Sequence, residues 1–139
     1  MIHDWPATLP RPERDSWQMQ PMEARRKTQP DAGPPGSRRR FSSAPRMVSL
    51  SLILSRQQRA EFDAFWQVTC REGADLFRMP DPTTEGWPLT DDLGNPLVFG
   101  AGVQLLLSGQ WLCSWGDTTP VETLQGVEFR KAFSVVVMP

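Results

Sequence analysis

Few side chains in this sequence have the type and spacing that chemistry requires. Its 139 residues include one His, two Cys, two Lys and no Tyr. His3 would act as a metal ligand or general base only with partners, and no His/Cys/Asp cluster accompanies it. Cys70 closes an apolar helical face and Cys113 lies within Trp111-Leu-Cys-Ser-Trp115, so both read as small buried hydrophobes. Asp91 and Asp92 are adjacent acids that could form a carboxylate dyad or hold a cation. They sit among Gly, Asn and Pro, however, where acids are ordinarily solvated. Gly100-Ala-Gly102 lacks the Lys-Ser/Thr of a phosphate loop and reads as a turn. With no nucleophile–base pair or ligand cluster to assemble, the expectation is a non-enzyme without catalytic, metal or cofactor residues.

Basic clusters offer a different chemistry. Arg25-Arg26-Lys27 and Arg38-Arg39-Arg40 could neutralise phosphates, with nearby Trp and Phe stacking on bases. They could equally dock on an acidic protein surface, such as residues 81–92 of a neighbouring copy, or remain a solvated arm. The whole chain has a net charge of −1, which argues against a strongly basic nucleic-acid binder.

The elements that must carry these groups divide the chain in two. Residues 1–46 hold eight of the 14 prolines and nine of the 15 basic residues against five acidic ones, a local net of +4. Ile2 and Leu9 are the only Ile, Leu or Val before Val48. Such a segment reads as an extended Pro/Arg-rich arm that cannot offset its ordering entropy alone and is held by neighbouring subunits. On this reading, deleting residues 1–40 leaves a folded monomer that no longer assembles. Residues 47–139 read as one β-rich domain of modest core. Two cysteines make no disulfide framework, which favours reduced, intracellular synthesis. The opening Met-Ile-His-Asp-Trp-Pro resembles neither a signal peptide nor an anchor, and no apolar stretch is long enough to span a membrane.

Within that domain, Val48, Leu50, Leu52 and Leu54 alternate with Ser49 and Ser51, the pattern of a half-buried strand. Ser55-Arg-Gln-Gln58 is a capping box, and Phe62, Phe65, Trp66, Thr69 and Cys70 form one face of a helix over 56–72 ended by Gly73. Leu76–Met79 reads as a short strand, and 80–96 as an acidic loop with room for a small hairpin. Val103–Leu107 and Trp111–Trp115 read as a hairpin around Ser108-Gly-Gln110. In 127–137, residues Val127, Phe129, Phe133, Val135 and Val137 share a face on which Lys131 is the exception. The order predicts an α+β fold, a mostly antiparallel β-sandwich with one amphipathic helix and an extended N-terminal arm.

The order of features also resembles a known family. Trp5-Pro…Leu9-Pro10, an arm ending Arg38-Arg-Arg-Phe41, Val48–Leu54, Ser55-Arg-Gln-Gln58, Phe62-Asp-Ala-Phe-Trp66, Gly73-Ala-Asp-Leu-Phe77 and Val127–Val135 are similar to small tail proteins of tailed bacteriophages. The resemblance is in particular to the minor tail protein M type of lambda-like phages. The resemblance spans roughly 38–80 and 127–137, whereas the long Pro/Arg-rich arm and the acidic 80–96 stretch depart from it. It implies a tail-tube-like domain in a homo-oligomeric ring, typically hexameric, at the distal end of the tail. That ring joins the tail tube to the baseplate hub, fibre proteins or host-recognition apparatus. It places the chain in the virion after assembly in the bacterial cytoplasm, with passive contact with phage DNA in the channel and none with membrane. Interface residues would then be Trp5 and Trp17 as anchors, the two basic clusters, and Asp91 and Asp92. A head–tail connector ring of the same virion and a small nucleic-acid-binding protein are the alternatives.

Overall fold

Eleven strands and one helix make up the computed structural model, which describes residues 2–40 and 42–139. Phe41, the last residue of the Arg-rich motif, lies outside the described residues. In chain order the elements are β1 (Ile2–Asp4), β2 (Gln18–Pro21), β3 (Arg25–Thr28), β4 (Gly36–Arg39), β5 (Arg46–Leu54) and α1 (Arg56–Ala64). A π-helical turn, Phe65–Thr69, extends α1. Then come β6 (Leu76–Pro80), β7 (Val98–Phe99), β8 (Val103–Gln104), β9 (Gln110–Trp115), β10 (Val121–Gln125) and β11 (Glu128–Val137). The fold is α+β and mostly antiparallel β, as the sequence pattern predicts.

Seven strands form one sheet in the order β1-β6-β9-β11-β5-β2, with β10 pairing β11 beside β9. Strand β5 behaves as its alternation demands: Val48, Leu50, Leu52 and Leu54 are buried, facing Phe133, Val135 and Val137 of β11. The helix starts where the capping box sets it, with the Gln58 amide donating to Ser55 Oγ and the Ser55 amide to Gln58 Oε1. Its end differs from expectation. The wide turn closed by the Cys70 amide on the Phe65 carbonyl spans one extra residue, so Phe65 and Cys70 are buried while Thr69 turns to solvent. Arg71, Glu72 and Gly73 all have positive φ, and a Cβ on Gly73 would lie 3.1 Å from Trp66 Nε1.

Two expectations fail here. The 103–107/111–115 hairpin does not exist, because β9 pairs with β6 and the chain between them, 81–109, leaves the sheet altogether. The Asp81 amide reaching the Gly109 carbonyl closes the base of that excursion. Val127 lies in the turn before β11 and is 94% exposed. Strand β10 had no signal, since Val121-Glu-Thr-Leu-Gln125 has no face to bury and is exposed throughout.

The N-terminal segment is extended, and its first twenty-odd residues pair and pack with the chain's own sheet. Strand β1 adds to β6 in parallel, the one parallel pairing of the sheet, and the Trp5 amide continues it onto the Arg78 carbonyl. Strand β2 pairs β5. Between them the chain crosses the apolar face of the sheet. Trp5 stands among Phe62, Phe65, Phe77 and Phe133 with ring centroids 5.5–6.1 Å away, so one side chain joins helix, β6 and β11. Trp17 stacks on Trp111 at 5.9 Å, although β2 and β9 are three places apart in strand order. Flat strands at that separation would stand roughly 14 Å apart, so the sheet curls over its own apolar face with the N-terminal segment inside the curl. Lys131, on the same face, is 8% exposed and satisfied by Asp63 at 2.8 Å and Glu122 at 3.4 Å.

Candidate interaction surfaces

Because β2 ends at Pro21 and β5 begins at Arg46, the chain between them has no place in the sheet. It doubles back on itself as a ribbon of β3 and β4, with Arg25 opposite Arg39, Arg26 opposite Arg38 and Lys27 opposite Ser37. From Gln20 to Arg40 every residue except Ala24 is exposed. The bonds at its base are the Met22 amide to the Pro45 carbonyl and the Arg40 amide to the Ala24 carbonyl. Alternation sorts the charges. One face carries Arg25, Lys27 and Arg39; the other carries Arg26, Arg38 and Arg40. On the first, Glu23 receives two bonds from the Arg25 guanidinium and one from its amide, which hold its carboxyl down at about 2. Lys27 stands 3.4 Å from the same acid. On the second, Arg26 and Arg38 lie directly across from each other and neither has an acidic partner among the described residues. Like charges in that position destabilise an isolated ribbon.

The excursion 81–109 is a second projection of opposite character. It holds Asp81, Glu85, Asp91 and Asp92 and no basic residue. Glu85 Oε2 accepts from the Gly109 amide at its base. Further out, the amides of Leu89, Leu105 and Leu97 donate in a closed cycle to the carbonyls of Leu105, Leu97 and Leu89. Asp91 spends one carboxylate oxygen on the amides of Leu93 and Asn95, both at 2.9 Å, shaping the turn at the tip. All of 89–106 is exposed, including Leu93 at 86%, Phe99 at 69% and Val103 at 62%. Leu, Val and Phe side chains exposed in this number on one projection make it a candidate binding surface. The sequence does contain these apolar residues. What it conceals is that they stand outside the sheet, where nothing of the same chain covers them.

The other sequence candidates fall elsewhere. Trp5 and Trp17 pack against this chain's own core, half-filling an apolar trough left by the curled sheet. The two basic triplets, 13 residues apart in sequence, meet in one ribbon. Asp91 and Asp92 are exposed in a turn of the acidic projection, where Asp91 accepts the Leu93 and Asn95 amides. His3 Nε2 is 2.9 Å from Asp75 Oδ2, and Arg71 bonds the same carboxylate. Arg71 and then His3 hold the Asp75 carboxyl well below the usual carboxylate range. This ion pair ties β1 to the loop after the helix. Burial pushes the Cys70 thiol up and that of Cys113 up to about 12, consistent with packing residues.

No group of three or more His, Cys, Asp or Glu among the described residues could hold a metal ion, and no described helix is long and apolar enough to cross a membrane. No family model matches the chain, and neither a curated protein nor a solved structure does.

Proposed function

We propose that this chain is a structural subunit of a bacteriophage tail that assembles with copies of itself into a ring near the distal end of the tail. The observation that carries the reading is the pair of projecting ribbons of opposite charge on one small domain. Ribbon 22–40 has six basic and two acidic residues, a net of +4, and the excursion 81–107 has four acidic and no basic residues, a net of −4. Neither ribbon has a core of its own, so each gains its ordering energy from whatever it meets. Head-to-tail rings of identical subunits require two different patches that fit each other, which this arrangement supplies. The resemblance to phage tail proteins supplies the setting, with the tail tube and the baseplate or fibre proteins as the expected neighbours.

The test is assembly of the purified full chain, followed by sedimentation velocity and negative-stain imaging. A closed ring supports the reading, and immunogold labelling of particles then separates a distal from a neck position. A monomer at every concentration up to the millimolar range would sink it.

A further inference from the structure

We infer that the basic ribbon of one copy docks on the acidic, apolar excursion of the next copy. The inference rests on the ring reading and deepens it by assigning the partner surface. On the donor side, Arg26 and Arg38 stand directly opposite each other with no acidic partner for either among the described residues, an arrangement that an anionic surface relieves. On the acceptor side, Asp91 and Asp92 make no ion pair among the described residues and adjoin exposed Leu93, while exposed Phe99 and Val103 lie on the second arm of the same excursion. Arginine is suited to such a surface. Its methylene stem lies along Leu and Val while its guanidinium reaches a carboxylate or stacks on a ring such as Phe99. The prolines at the ribbon's turn, Pro30, Pro34 and Pro35, add apolar area at little entropic cost. The +4 and −4 projections cancel between neighbours, so a closed ring built this way leaves neither patch unmatched.

Nucleic acid is the competing occupant of the basic ribbon, since a two-stranded ribbon fits a major groove. The chain's own net charge of −1 and the matched acidic surface favour a second copy.

A complementary charge exchange tests this. Variant A carries Arg26→Glu and Arg38→Glu; variant B carries Asp92→Arg and Leu93→Arg. All four positions are exposed and outside the core, and unchanged melting verifies that both variants fold. Each variant alone should lose self-association by at least about tenfold. An equimolar mixture should recover it, because the ribbon face of A that carries the two introduced glutamates meets the two introduced arginines of B, and the reverse pair is native. Sedimentation velocity reads all three samples. If A fails to assemble and the mixture stays dissociated, the ribbon drives ring formation through another surface; the docking assignment falls and the ring reading stands. Assembly of A and B at wild-type strength also overturns the docking. A wild type that never associates removes both. Should A lose low-salt binding to duplex DNA while assembling normally, the ribbon is a nucleic-acid site and the inference is wrong.

Discussion

Residues 2–21 and residues 22–40 are both proline-rich, with four prolines in the first and three in the second, yet only the first belongs to the core. The first contains Trp5, Leu9, Trp17 and Met19; the second has no aromatic residue and no Ile, Leu or Val. Trp5 and Trp17 are half-buried against the core, and the apolar area that they cover with Leu9 and Met19, at about 25 cal/mol per Å², offsets the ordering of a short proline-stiffened segment. Proline content therefore says little about whether a segment is part of a fold. What decides is whether a few large apolar side chains find a trough, and here the curled sheet provides one.

The strongest way to break this comparison is to remove the side chain that defines it. Trp5→Ala should cost about 3 kcal/mol and lower the melting temperature by roughly 10 °C, because Trp5 touches rings from the helix and two strands. Thermal unfolding followed by circular dichroism measures it, and a shift of only a degree or two would show that the N-terminal segment is not part of the core. The same reasoning reverses the expectation that a chain lacking residues 1–40 still folds: such a chain lacks β1, β2 and the centre of the aromatic cluster.

The opposite operation on the second region should do almost nothing to stability. Replacing 23–39 by a two-glycine link joins positions already close, since the bonds at the ribbon's base bring its two ends together. Melting should stay within about 0.5 kcal/mol of the full chain, because surface changes away from packed groups have effects of that size. Self-association should be lost. A large drop in melting temperature would mean that the ribbon packs on its own domain.

This contrast also locates what the sequence could tell. The β5 alternation, the Ser55/Gln58 box, the left-handed Gly73 and the odd Lys131 were legible because each is a local pattern with its own periodicity or chemistry, whereas the π turn that ends the helix before Cys70 carries no such pattern. β1 was not, because Ile2-His3-Asp4 carries no period and acquires strand geometry only from β6, more than 70 residues away. The lost hairpin has the same origin. Ser108-Gly-Gln110 is acceptable turn chemistry, but strand 111–115 had a better partner in 76–80, and tertiary pairing overrode the local signal. The charge clusters were visible as residues, yet only the β3–β4 register shows that two triplets form one surface.

Acid should separate the two regions by degree. The first is latched by carboxylates: Asp75 to His3 and Arg71, and Glu13 to Arg130 and Ser51. Arg71 and then His3 lower Asp75, and Arg130 and then Ser51 lower Glu13. A depressed folded-state value means that the stabilisation is complete above the unfolded carboxylate range, about 4, and is lost as pH falls below it. Between pH 5 and pH 2 the β1 and β2 amides should lose hydrogen-exchange protection before the centre of β5 does. The Glu23 carboxyl, held at about 2 by Arg25, belongs to the exposed ribbon and is no part of these latches. Equal loss of protection everywhere would show that these latches do not hold the segment separately from the sheet.

The smallest effect is kinetic and reads the same comparison from the inside. Cys70 and Cys113 are both fully buried, and burial raises both thiols, that of Cys113 to about 12, so neither is thiolate at pH 8 in the folded chain. Alkylation must then wait for an opening of the curl. Cys113 sits opposite Phe77 in the β6–β9 pairing, directly beneath the cluster that Trp5 completes. Its labelling rate at pH 8, followed by mass spectrometry, should rise roughly a hundredfold in Trp5→Ala, the factor that about 3 kcal/mol of lost opening free energy gives in the exchange-limited regime. Removing residues 23–39 should leave that rate within a factor of about two. If the shortened chain labels as fast as Trp5→Ala, the ribbon guards the core after all, and the two regions are not the separate things their packing makes them.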